Sequence, residues 1–175
     1  MLGLFRARFR LLMSLGLLIF CSALANADAP SAKRDVLLVG NNWDGTIDVI
    51  DVHDYSRLLR INAVPDRDER MSEIKKDAIR WVAVQVIRSQ VGEGHDQLVD
   101  DLYSSADGQE IYVSRPSFGD VVAINVASGQ IRWRTRVSGY RADHMAISSD
   151  GQRLVVSAST AKVAHIINTT DGTIN

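Results

Sequence analysis

A 43-residue self-match, short β-rich runs parted by glycine turns, and a helical period confined to one segment together predict the fold class. It is all-β: a partial β-propeller of about two and three-quarter four-stranded blades, with one helical insertion between the first two blades. A period of roughly 40–45 residues is the length of one four-stranded blade.

The self-match aligns Ser105-Ala106-Asp107-Gly108-Gln109 with Ser148-Ser149-Asp150-Gly151-Gln152. Without gaps it also places Ser114 on Ser157, Asn125 on Asn168 and Gly129 on Gly172. The apolar positions between them correspond as well: Ile111 with Leu154, Val113 with Val156 and Ile124 with Ile167. Within the middle unit, strands are expected at Leu102–Ser105, Ile111–Ser114, Val121–Val126 and Ile131–Val137. Asp107-Gly108 and Ser128-Gly129 supply the tight turns, where glycine takes a positive φ without a Cβ clash. The last unit repeats this at Met145–Ser148, Leu154–Ala158 and Val163–Asn168, with a fourth strand beginning at Ile174.

The first unit is degenerate. Val36–Gly40, Thr46–Val52 and Arg57–Ala63 match second, third and fourth strands, and no first strand precedes them. Asp51 corresponds to Asn125 at an offset of 74, so about 31 residues are inserted between the first two units. Residues 65–97 are that insertion. They are rich in charge, and Met71, Ile74, Ala78 and Trp81/Val82 fall on one face at helical spacing. Asp66 or Asp68 is the expected cap and Gly92 or Gly94 the end, while Trp81–Ile87 also reads as a strand. The organisation expected is therefore an export signal at 1–27, a first incomplete blade at 28–64, the insertion at 65–97, and the second and incomplete third blades at 98–175. Fewer than three blades cannot close a ring of four to eight. The expectation is thus of a protein about twice as long, with assembly of several copies into a ring as the alternative.

Composition narrows the function. The 175 residues carry 20 Lys+Arg and 21 Asp+Glu. Residues 1–27 hold Arg6, Arg8 and Arg10, an apolar run from Leu11 to Phe20, and small residues before Ala27. That is the layout of a cleaved secretory signal, and its apolar run is too short to span a bilayer. The expected location is the periplasm or the medium. Cys21 is the only cysteine and leaves with the signal, which excludes disulfides and cysteine nucleophiles. The remaining chain is net acidic, so binding of nucleic acid through overall charge is not expected.

The pattern Ser-x-Asp-Gly-x-x-Ile/Leu-x-Val-Ser, with Val/Ala-x-x-Ile-Asn and a Gly turn behind it, resembles the YVTN-type repeats of YncE-like bacterial exported proteins. Gly94–Asp101, Ser114–Phe118 and Asp143–Ser148 look like a periplasmic subgroup of that family without defined chemistry. A second resemblance concerns Ala123-x-Asn125-x-x-Ser128-Gly129-x-x-x-Trp133, which is similar to the tryptophan-docking motif of pyrroloquinoline quinone (PQQ) dehydrogenases. In that family the indole packs between blades and does not hold the quinone. The first unit has Leu59 at the corresponding place, so the resemblance implies a propeller and not a PQQ cofactor.

Ligand candidates lie on the loops leading into the innermost strands. One loop carries His95, Asp96, Asp100 and Asp101; the other carries Asp143 and His144. Asp100 corresponds to Asp143 and Asp101 to His144, so equivalent positions of adjacent blades aim at one axial region. Imidazole with carboxylates suits a divalent metal or proton transfer, and local bracing of the loops is the alternative. Arg115 follows a strand of the middle unit and is a candidate for an anion or for a carboxylate partner. Arg132, Arg134 and Arg136 share one sheet face and with Arg141 form a basic patch. The function expected is an exported propeller presenting loops to a small ligand or protein, without a catalytic constellation. A metal-dependent lactonase-like hydrolase or a PQQ-type oxidoreductase is the alternative.

Overall fold

The structure is a computed structural model that describes residues 33–175. The export signal expected at 1–27 lies outside the described residues. Three small antiparallel sheets follow one another along the chain. The first holds β1 (Val36–Asn41), β2 (Thr46–Asp51) and β3 (Arg57–Asn62). The second holds β4 (Leu102–Ser104), β5 (Glu110–Arg115), β6 (Asp120–Asn125) and β7 (Ile131–Arg136). The third holds β8 (Met145–Ile147), β9 (Arg153–Ala158) and β10 (Val163–Asn168), and Ile174 bridges to Ile167 where a fourth strand begins. Every strand starts and stops within one residue of its sequence expectation. This is a partial β-propeller.

The blades stack face to face through alternating side chains. One face of the second blade (Ile111, Val113, Val122, Ile124) packs on Ile47, Val49 and Ile61 of the first. Its other face (Tyr112, Val121, Ala123, Trp133) packs on Leu154, Val156 and Ile167 of the third. Burial of these faces removes apolar surface that alternation places on both sides of each sheet. The outermost faces lack this cover. Val155 and Ile166 are 44% and 42% exposed, whereas their counterparts Tyr112 and Ala123 are 3% and 0% exposed. Leu37 is 50% exposed against 1% for its counterpart Ile111. The repeat extends to fine detail: the ladder slips at Val49/Ile50 and again at the equivalent Ala123/Ile124.

Trp133 holds the second and third blades together. Its indole N–H donates to Thr169 O at 2.9 Å, its ring stacks on Tyr112 at 5.8 Å, and the Thr135 hydroxyl donates to Gly172 O. Gly172 is required here. Its φ is +76°, and a Cβ would stand 2.7 Å from the indole. The indole thus packs between blades.

The insertion is helical, with two corrections to its expected form. It is two helices, α1 (Arg67–Lys76) and α2 (Ala78–Gln90), because Asp77 is extended and its side chain accepts the Arg80 N–H to start the second. Trp81–Ile87 is therefore helix and not strand. The break also turns the second helix, so Ala78 and Val82 face outward and Arg80 and Val84 go inward. Ile74, Val84, Val64, Leu98 and Phe118 form the small core beneath, with Met71 and Trp81 at its edge. Asp66 precedes α1 without capping it through its side chain, since its carboxylate serves arginines instead. No helix among the described residues is long and apolar enough to cross a membrane.

Candidate metal-binding cluster

Asp100 and Asp101 lie immediately before β4, and Asp143 and His144 immediately before β8. Each pair is set by the same local device. Asp100 N–H donates to Ser114 O and Ser114 N–H to Asp101 O (3.0 and 3.1 Å). Asp143 N–H donates to Ser157 O and Ser157 N–H to His144 O (2.8 and 2.9 Å). Ser114 and Ser157 are repeat counterparts, so the two loops leave adjacent blades in the same direction. The Ser114 hydroxyl accepts the Asp101 N–H as well.

The side chains converge. One ligand atom from each of Asp100, Asp101 and His144 lies within 4.8 Å of the others. His144 Nδ1 stands 3.6 Å from Asp100 Oδ2 and 3.7 Å from Asp101 Oδ2, beyond ordinary hydrogen-bond length. Asp100 Oδ2 is buried and has no hydrogen-bond partner among the described residues. Asp101 Oδ2 accepts the Met145 N–H at 2.6 Å, and a carboxylate oxygen retains capacity for a second contact. The His144 side chain is 79% exposed.

Electrostatics separate the acids. Burial, then the charge of Asp101 and the carboxyl of Asp143, push Asp100 above the usual carboxylate range, with His144 opposing. Burial also acts upward on Asp143, but hydrogen bonds from Arg141 outweigh it and hold Asp143 below that range. Arg141 grips Asp143 through two bonds of 3.0 and 3.1 Å and reaches Gln97 Oε1 with a third N–H. Asp143 is thereby fixed beside Asp100 and committed to Arg141. Negative charge crowded against a half-buried carboxyl is what a cation would relieve.

The other sequence candidates are elsewhere. His95 stacks on Trp43, 4.2 Å between centroids at 16°, and Asp96 pairs with Arg67 and Arg88 of the helices at 3.4 and 3.8 Å. Arg115 is fully buried. It spends its donors on Asp120 (2.8 and 2.9 Å), Asp66 (2.5 and 3.1 Å) and Ala63 O (3.3 Å), tying the first blade's exit, the helix start and the second blade together. Three of the four patch arginines are engaged: Arg132 with Glu110 and the Thr169 and Thr170 carbonyls, Arg134 with Asp120, and Arg141 with Asp143. Sequence reasoning missed Trp43 and Gln97. Neither falls on a repeat position that would have marked it.

No protein-family model matches the chain, and no curated protein matches it by sequence. Solved structures do. Dihydro-heme d1 dehydrogenase NirN, in complex with DHE, is similar over 85% of this chain and 25% of its own, at 13% identity and a TM-score of 0.53. The hydrazine synthase of Kuenenia stuttgartiensis is similar over 80% of this chain and 31% of its own, at 14% identity and a TM-score of 0.54. This chain spans under a third of the length of either. Both are propeller-type proteins, and the likeness establishes the fold this chain shares with them.

Proposed function

We propose that this chain belongs to an exported, YncE-like β-propeller protein that binds rather than transforms its ligand. The ligand held by the described blades is a divalent cation at Asp100, Asp101 and His144. The observation that carries this is the convergence of one imidazole nitrogen and two carboxylate oxygens within 4.8 Å from two successive blades. They do so without bonding one another, and one of the oxygens is buried and unpartnered. Mixed nitrogen and oxygen donors suit Mn²⁺ or Zn²⁺ better than Ca²⁺, which takes oxygen ligands. Asp143, held by Arg141, supports the site by adding negative charge behind Asp100. With His144 largely exposed to solvent and three protein ligands in place, a bound cation keeps positions for an anionic group of a further ligand. The basic start with Arg6, Arg8 and Arg10, the apolar run from Leu11 to Phe20 and the small residues before Ala27 support export.

Calorimetric titration of the chelator-treated protein with Mn²⁺, Zn²⁺ and Ca²⁺ tests the reading. One Mn²⁺ or Zn²⁺ per chain is expected, weakened at least tenfold in His144→Ala. Stoichiometric binding that His144→Ala leaves intact, or none by any of the three ions, would overturn it.

A further inference from the structure

A cleft of about 450 Å³ opens at the far end of β4 from that cluster, where turns of the second and third blades meet. Its size falls within the roughly 300–1,000 Å³ of small-molecule sites. Both blades furnish the same side chains to it. Asp107 and Gln109 come from the second blade, and their repeat counterparts Asp150 and Gln152 from the third. Glu110, Tyr112, Arg132 and Thr169 line it between them.

The charges in this wall already have partners. Arg132 pairs with Glu110 and donates to the Thr169 and Thr170 carbonyls. Asp150 stands 3.5 Å from Arg153. Asp107 is held below the usual carboxylate range by the Ser105 hydroxyl and the Gln109 N–H, with the Lys33 charge adding to them.

Neutral hydrogen-bonding capacity is what remains. Gln109 and Gln152 each donate a backbone N–H to the aspartate two residues before, while their side-chain amides bond to nothing among the described residues. Asp107 takes both of its bonds on Oδ1, leaving Oδ2 free. Tyr112 is 3% exposed, with its ring stacked on Trp133, yet its hydroxyl donates to no acceptor among the described residues. The Thr169 hydroxyl beside it donates to Gly151 O at 2.9 Å. Burial pushes the phenol up, so it keeps its proton and remains a donor on the cleft wall. A buried hydroxyl without a partner is destabilising, and a ligand oxygen would relieve it.

We propose that this inter-blade cleft binds a neutral polyhydroxylated ligand of monosaccharide size. Each hydroxyl of such a ligand both donates and accepts, which suits two amides, a phenol donor and a free carboxylate oxygen. A charged ligand would have to displace an existing ion pair, whereas a neutral one keeps them all.

The test is calorimetric titration of the full chain with glucose, galactose and mannitol, in chelator so that the metal cluster stays empty. Glucosamine and gluconate serve as cationic and anionic comparators. Saturable millimolar binding of at least one neutral probe is expected. Tyr112→Phe keeps the ring stack, removes the hydroxyl and is expected to weaken that binding roughly fivefold. Gln152→Ala, an exposed change, is expected to weaken it as well. Tighter binding of glucosamine or gluconate than of every neutral probe would overturn the ligand class. No saturable heat with any neutral probe, or binding that both variants leave intact, would overturn the site itself.

Discussion

The carboxylate of Asp101 accepts the backbone N–H of Met145 at 2.6 Å, a bond from the loop of one blade to the innermost strand of the next. It fixes the spacing of the two loops whose tips carry Asp100 and His144. Asp101→Asn keeps an acceptor for Met145 and loses the charge. It is expected to unfold close to wild type while binding Mn²⁺ at least tenfold more weakly. Asp101→Ala loses both and costs about 1–3 kcal/mol in addition. Urea unfolding beside calorimetry separates the two effects.

Trp133 closes the boundary between the second and third blades against Thr169 and Gly172. Trp133→Ala is expected to cost about 3–5 kcal/mol, and Trp133→Phe less, through loss of the indole N–H bond. Gly172→Ala acts from the other side. It places a Cβ 2.7 Å from the ring at a φ of +76°, and is expected to lower the melting temperature although it adds apolar area.

Arg115 and Asp120 are both fully buried. Arg115→Met leaves Asp120 and Asp66 without their shared cation and is expected to destabilise by about 3–5 kcal/mol. Arg115→Met with Asp120→Asn recovers part of that loss, because the buried Asp120 charge deprived of Arg115 is gone. Equal stability of the single and double variants in urea would refute this account.

Acid unfolding reports on the first blade. Arg60 grips Asp48 through two bonds of 2.7 Å and, with Asn41 and Arg57 adding to it against burial, holds the carboxyl down to about 2. A carboxyl with a depressed folded-state pKa stabilises fully above its unfolded value near 4 and loses this as pH falls toward 2. Asp48→Asn is therefore expected to flatten the fall in stability between pH 4 and 2 and to lower stability at pH 7.

The Asp100–Asp101–His144 cluster and the blade pattern were legible in the sequence for the same reason. Strand alternation and turn glycines are set by near neighbours, and a 43-residue repeat carries each position onto its counterpart. That is how Asp101 and His144, in different blades, are paired by the sequence alone.

Contacts without a repeat counterpart were not legible. Arg115 finds Asp66 across 49 residues, Arg141 finds Gln97 across 44, and Arg80 is buried only because Asp77 breaks the helix and turns α2. Trp43 meets His95 in the same way. The sequence by itself determined the strands, their order and which loops share a face, since these follow from local periodicity. Which arginines find carboxylate partners and which candidates never meet was decided by the tertiary structure. Ion pairing depends on the distance and burial of segments that only folding brings together.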